Sequence, residues 1–340
     1  VTEFLTGYGL FLAKTLTLLV AVAVAALLVA GAARRGQPRE PGLVVEKLND
    51  RLRRRQQALR EALLPKGERR KAHREARRAV KAADREATGR RRVFVLDFKG
   101  DIRASQVAAL REEVSAIVGA AADGDEVLVR LENFGGIVHE HGLAASQLAR
   151  LRDRGLRLTV VVDKGAASGG YLMACMADRI IAAPFAVIGS IGVIAQVPNF
   201  HRALDARGVD VEQVTAGRYK RTVTMFGRTT EADRAKLREE LEDVHALFKA
   251  AVAAHRPRLD LERVATGEHW YGTRAVDLGL VDELGTSDDC LLRLVADADV
   301  YKVTCKAPRS LPDRVREALH AGLDEASAWL SQRNQEGRYP

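Results

Sequence analysis

From Val93 onward, short apolar runs alternate with longer segments whose apolar residues recur at helical spacing, and no other feature of the chain limits its fold so strongly. Val93–Phe98, Glu126–Leu131 and Leu158–Val162 read as buried strands, being rich in Val, Leu and Phe over a strand's length. Ser105–Ala121 and His141–Arg154 lie between them with the spacing of helices. The pattern is repeated βαβ, so the fold class is α/β with a parallel sheet. Beyond it, Thr230 and Asp233 make a capping pair that opens a helix to about Ala254, and Leu259–Leu284 reads as further short helices. An amphipathic helix is expected from Asp313 to about Gln332. Ile180 to Phe200 carries no charge over 21 residues, yet Pro184, Gly189, Ser190, Gly192 and Pro198 predict short strands and turns there, not a membrane helix.

The N-terminal third is of another kind. Thr15 through Ala33 is a 19-residue run without a charge, long enough to span a bilayer, and Leu10–Ala13 extends it past Lys14. A cleaved signal peptide carries its positive charge before the apolar run, whereas here Arg34, Arg35 and Arg39 follow it. The reading is an uncleaved anchor over residues 1–33, and the positive-inside rule then puts everything after Arg34 in the cytoplasm. Residues 34–92 hold 21 Lys/Arg against 8 Asp/Glu, a net +13, while the whole chain carries +9 and residues 1–33 net zero. Residues 93–340 therefore net −4, which excludes a basic catalytic or DNA-reading domain. Within the basic stretch, Leu43–Leu64 and Arg69–Ala87 read as two helical segments broken by Pro65 and Gly67. The second has too few large apolar residues to bury a face. It is a stalk, either a solvated spacer or one drawn to acidic headgroups at about 1 kcal/mol per Lys or Arg near the surface. It contains no aromatic residue for stacking, so nucleic acid is not expected as a partner. The expected organisation is an anchor (1–33), a basic helical stalk (34–92), an α/β domain (93–295) and a helical tail (296–340).

Three scattered cysteines, Cys175, Cys290 and Cys305, give neither a disulfide framework nor a zinc site. Chemistry concentrates elsewhere. Lys164-Gly-Ala-Ala-Ser168-Gly169-Gly170-Tyr171 follows a buried strand and opens an apolar helix, Tyr171–Ala177. A serine flanked by Ala and Gly leaves room for a substrate, and helix N-terminal amides can stabilise an oxyanion there. The same small residues would also suit mere close packing. Gly135-Gly136 follows the strand Glu126–Leu131, and in a parallel sheet both loops open onto one crevice. For a base, His139 and His141 alternate in a loop just past Gly136 with no third ligand for a metal pair, and His201, His245, His255 and His269 have no carboxylate at a telling spacing for a triad. A lysine serves as a base where burial disfavours its charged form. Gly217-Arg218-Tyr219-Lys220-Arg221, after an expected strand at Val209–Val214, is the candidate, although Lys220 among arginines also reads as a solvated charge.

Taken in order, Ala167-Ser168-Gly169-Gly170-Tyr171, Gly189-Ser190-Ile191-Gly192, Gly217-Arg218-Tyr219-Lys220 and Gly267-Glu268-His269-Trp270-Tyr271-Gly272 resemble the signal peptide peptidase A family of serine-lysine peptidases, and within it the SohB branch. The resemblance runs from the anchor, at Tyr8-Gly-Leu-Phe-Leu-Ala-Lys14, to about Leu292. It implies a ClpP/crotonase-like spiral of ββα units behind one transmembrane helix and the stalk, in a bacterial inner-membrane endopeptidase. It implies Ser168 as nucleophile, Lys220 as general base, and the amides of Gly135 and Gly169 as oxyanion donors. Also implied are peptide or protein substrates, contact with membrane lipid, a ring-shaped homo-oligomer whose dyad is shared between subunits, and no cofactor or metal. The family usually reads Ser-Pro-Gly-Gly where this chain reads Asn133-Phe134-Gly135-Gly136, so the oxyanion loop lacks its proline. Two alternatives stand beside this reading. A crotonase-type acyl-CoA enzyme shares the fold and the backbone oxyanion hole without a Ser-Lys pair, and a membrane scaffold with this altered loop would have lost turnover.

Overall fold

The computed structural model describes residues 2–33, 42–65, 67–75 and 90–306. The first helix, α1 (Thr2–Ala33), belongs to a different unit from Leu43–Cys305, and its side chains from residue 7 to 22 are all exposed, Leu10, Phe11 and Leu18 among them. Among the described residues no helix is long and apolar enough to cross a membrane. The apolar run expected to form the anchor continues over residues 23–33, whose side chains lie outside the described set. Within the expected stalk residues 67–75 are helical, whereas 34–41, 66 and 76–89, and the helix expected over Asp313–Gln332, lie outside the described residues.

The remainder is an α/β fold on a seven-stranded sheet. In chain order the strands are β1 (Gly42–Lys47), β2 (Arg92–Lys99), β3 (Glu126–Glu132), β4 (Arg157–Val162), β5 (Gly165–Ala167), β6 (Arg179–Ala182), β7 (Val187–Gly189), β8 (His269–Tyr271), β9 (Glu283–Leu284) and β10 (Asp299–Lys306). The large sheet runs β1-β10-β2-β3-β4-β6-β9, and every pairing from β10 to β9 is parallel. One face carries Phe94, Leu96, Val127, Val129, Leu158 and Val160, covered by α3 (Val107–Ala120) and α4 (Val138–Asp153) through Leu110, Val114, Ile117 and Leu148. The opposite face carries Val93, Val95, Leu128, Val161 and Ile181 against Leu48 and Leu291. Each fully buried aliphatic side chain here contributes about 1.5–3 kcal/mol, which is why runs without alternation become central parallel strands. Across the middle strands Asp97 pairs in register with Arg130 through two bonds of 2.6 and 2.7 Å, and Lys302 reaches the same carboxylate at 2.6 Å. Burial alone would push Asp97 up, but the bonds from Arg130 and Lys302 outweigh it and hold the carboxyl below its ordinary value.

Three expectations need correction. Leu43–Leu64 is not one helix, because the β-branched pair Val44-Val45 lies in strand β1 and α2 begins only at Leu48 and ends at Leu63. The chain after residue 295 does not begin a helical tail, since β10 inserts between β1 and β2 with Val300, Val303 and Cys305 buried. Buried Asn49 ties these two ends together: its Nδ2 donates to the carbonyls of Val295 (3.2 Å) and Ala298 (2.8 Å), and its Oδ1 accepts from the Val300 amide (2.8 Å). No strand forms over Val209–Val214, where every residue is exposed and pairs with no neighbour strand.

A second, three-stranded sheet positions the site. β5 pairs in parallel with β7, and β7 pairs antiparallel with β8. A single parallel bridge, Asn133 to Ala166, joins this small sheet to the end of β3. Helix α5 (Gly169–Ala174) leaves directly from β5, and the capping box of Thr230 and Asp233 opens a long helix, Glu231–His255, as expected.

Candidate active site

Ser168 is the single residue between β5 and α5, and its backbone sits at φ 52°, ψ −123°. A side chain with positive φ of this kind costs about 1–3 kcal/mol and persists only where its surroundings hold it. Here they do: the Ser168 amide donates to the Gly189 carbonyl at 2.8 Å, and its own carbonyl accepts from Leu172 at 3.0 Å. The residue is half-buried, and its hydroxyl makes no hydrogen bond among the described residues.

The loop after β3 comes up against it. A Cβ on Gly135, at φ 87°, would lie 2.7 Å from the Ser168 Cβ and 2.9 Å from the Gly169 nitrogen, so only glycine allows this approach. The loop is strapped to the serine turn, since the Asn133 amide donates to Gly165 (2.8 Å) and the Ala167 amide donates to Asn133 (3.0 Å). As the first residue of α5, Gly169 has an amide with no intrahelical acceptor. The Gly135 amide differs from expectation, for it donates to the Asn133 Oδ1 at 2.9 Å. Among the described residues the Gly136 amide has no acceptor, which leaves it, like the Phe134 amide, an open donor in this loop.

Two further motifs join the serine. Gly189 pairs with His269 across β7 and β8, and Ser190, also at positive φ (51°), donates its amide to Glu268 at 2.6 Å. Trp270 lies against Gly189, where an added Cβ would meet the indole at 3.0 Å. The fourth motif stays apart. Lys220 is exposed in a turn closed by its own amide donating to Gly217 (3.1 Å), and its side chain makes no hydrogen bond or ion pair among the described residues, none with Ser168. Tyr219 beside it is propped by Arg218 and Lys236, each 5.0 Å from the ring centre.

The histidines separate in the same way. His139 is exposed beside Glu140, whereas His141 is fully buried, so alternate residues at the start of α4 face different surroundings and do not share a ligand site. Asn133 and His141 come together without a motif to announce it, the His141 Nε2 lying 3.2 Å from the Asn133 Oδ1. The signal available, the Asn-x-Gly spacing of a side-chain-capped turn, points to the turn alone. Cys175, at the end of α5, is no rival nucleophile, since burial pushes its thiol up to about 12.

Fold and site together define a class: a parallel α/β scaffold that presents one strained serine at the end of a short strand, between glycine loops. Sequence comparison narrows it. The profile of the peptidase family S49 N-terminal region matches residues 3–148, and that of peptidase family S49 matches residues 150–301. The chain belongs to peptidase family S49, a family of serine proteases. It is 44% identical over 321 residues to a probable protease SohB of Haemophilus influenzae, covering 91% of each chain. A probable protease SohB of Buchnera aphidicola is 51% identical over 236 residues, covering 69% of this chain and 70% of that one. Among solved structures, a mutant of the 1510-N membrane-bound stomatin-specific protease aligns at a TM-score of 0.41 and 13% identity, over 60% of this chain and 84% of that one.

Proposed function

We propose that this chain is a membrane-anchored endopeptidase that cuts peptides or membrane-associated protein fragments by acyl transfer through a Ser168–Lys220 dyad. Lys220 takes the Ser168 proton as the oxygen attacks the scissile carbonyl. The amides of Gly136 and Gly169 hold the oxyanion, with Gly135 as the glycine whose close approach brings that loop to the serine. The amine leaves with the proton, and water releases the acyl-enzyme. The observation that carries this reading is the strained, strapped Ser168 turn against Gly135.

The large parallel sheet with a small second sheet bearing the serine supports a ClpP/crotonase-like arrangement of the core. A base lysine needs desolvation, and Lys220 is exposed in the single chain. The same segment exposes Ile194 (84%), Val214 (87%), Phe200, Met225 and Phe226. Both facts favour a ring-shaped homo-oligomer in which a neighbour covers this segment and shares the dyad. The uncharged run before Arg34 favours a single-pass anchor in a bacterial inner membrane, with lipid around it and the catalytic part in the cytoplasm.

The test is fluorophosphonate labelling of the full chain in detergent, beside Ser168→Ala and with casein hydrolysis in parallel. Labelling and hydrolysis that both vanish in Ser168→Ala support the assignment. Equal labelling of the two proteins would remove Ser168 as the nucleophile.

A further inference from the structure

Without its proline, the loop from Asn133 to Gly136 needs another source of rigidity, and a buried polar pair lies directly beneath it. Asn133 and His141 are both fully buried. The Asn133 Oδ1 accepts from the Gly135 amide at 2.9 Å and lies 3.2 Å from the His141 Nε2, while the Asn133 Nδ2 donates to the Met173 Sδ at 3.2 Å. The first of these closes an Asx turn, in which a side chain stands in for a backbone turn bond. The other ring nitrogen, Nδ1, lies 3.0 Å from the Ile137 carbonyl, so the neutral ring bonds Asn133 in the tautomer that carries its one N–H on Nε2. It also lies against the opposite wall of the site, since a Cβ on Gly169 would fall 2.5 Å from the His141 Cγ. Gly100 closes over the Asn133 side chain from the far side, where a Cβ would meet its Cγ at 2.4 Å. The pair therefore touches both loops that flank Ser168, yet neither side chain bonds its hydroxyl.

We propose that Asn133 and His141 are a positioning pair that fixes the Gly135–Gly136 loop relative to Gly169, performing through side-chain hydrogen bonds what a proline at position 134 does through its ring. The pair acts on the oxyanion donors and not on substrate. Its removal lowers the rate of the chemical step and leaves ground-state binding in place. The Phe134 amide donates to nothing among the described residues, so a proline there removes no hydrogen bond. This inference rests on the Ser168 reading of the site.

The experiment measures casein turnover and the second-order rate of fluorophosphonate labelling for full-length wild type, Asn133→Ala, and Asn133→Ala/Phe134→Pro. Asn133→Ala should lower kcat about 100-fold, the scale of losing one oxyanion donor, with KM within about threefold and a matching fall in labelling rate. Adding Phe134→Pro should return at least about tenfold of that loss, a recovery that a merely structural cavity at position 133 would not give. A folded Asn133→Ala enzyme with kcat within threefold of wild type overturns the proposal, as does a loss that proline does not relieve. Should Asn133→Ala fail to fold, His141→Gln and His141→Leu decide, because Gln keeps a donor toward Asn133 and Leu does not. Higher kcat in His141→Gln than in His141→Leu supports the pair, and equal kcat overturns it. A wild-type protein that neither labels nor turns over casein would count against the Ser168 reading instead, which keeps the two failures apart.

Discussion

The serine turn and the lysine segment belong to one proposed site, but they are built in opposite ways. Around Ser168, every backbone neighbour is strapped: β5 to β7, β7 to β8, Asn133 to Gly165 and Ala167. Around Lys220, residues 205–220 are exposed without exception, and from residue 190 to 229 the only regular element is the five-residue helix His201–Asp205. The contrast separates what a single chain fixes from what the proposed site would need a partner to cover. A strained nucleophile must be over-determined by its own chain, because nothing else can hold φ at 52°. A base that works through desolvation can be left exposed until another surface covers it.

The sharpest test of that division compares the two residues directly. Ser168→Ala should abolish casein hydrolysis, a loss of 10³-fold or more on the order expected for removing a nucleophile, while size-exclusion behaviour and thermal stability stay within error. Turnover persisting in the purified variant would shift attention to Ser190, the other serine at positive φ. Lys220→Arg should be as inactive as Lys220→Ala, since arginine stays protonated, and neither should move stability by more than about 0.5 kcal/mol because the side chain is exposed. An active Lys220→Arg enzyme would remove the lysine from the mechanism.

A smaller effect reports on whether the two halves come from different chains. Coexpressed Ser168→Ala and Lys220→Ala proteins should recover about a quarter of wild-type activity, the share of junctions holding both native residues if subunits mix at random in a head-to-tail ring. No recovery in assemblies shown to contain both chains would place the dyad within one chain. Smaller still, Ser168→Gly should be more stable than Ser168→Ala by about 1 kcal/mol in urea unfolding, as relief of positive-φ strain exceeds the entropy cost of glycine. Equal midpoints would mean that the turn is not strained.

The last test concerns the rigid half alone. Asp97 has its folded value depressed by Arg130 and Lys302, so its contribution to stability is present above the ordinary carboxylate range and is lost as pH falls through the depressed value. The stability gap between wild type and Asp97→Asn should therefore be open at neutral pH and close on acidification below that range. A gap that widens with acid would contradict the sign.

The amino-acid pattern carried the centre of the fold well, and the physics explains where it stopped. Val93–Phe98, Glu126–Leu131 and Leu158–Val162 all became central strands, because burial on both faces leaves a continuous apolar run that survives any local ambiguity. The edges were less legible. Val44-Val45 carried a strand signal that the helical residues after Leu48 obscured, and β10 has the buried set Val300, Val303 and Cys305 without a strict alternation. Val209–Val214 shows the reverse error, since β-branched composition without a partner strand does not make a strand. At the site, the glycines marked both loops, but Asn133 read as a departure from a motif. Its role depends on His141, eight residues further on, and on the Gly135 amide that both help to hold, a relation set by three-dimensional packing.

The insertion of β10 between β1 and β2 also has a consequence in time. During synthesis β1 leaves the ribosome early, and the strand beside it arrives about 250 residues later, on the order of 10–50 s at ordinary elongation rates. Throughout that interval the outer edge of β2 is open and Asn49 lacks all three of its partners at the corner before β10. A nascent chain halted before residue 299 thus presents an unpaired strand edge to other chains, the kind of surface that invites aggregation or chaperone capture. Only the arrival of β10 joins β1 to the rest of the sheet, so the strands of this sheet cannot be added one beside the next in chain order.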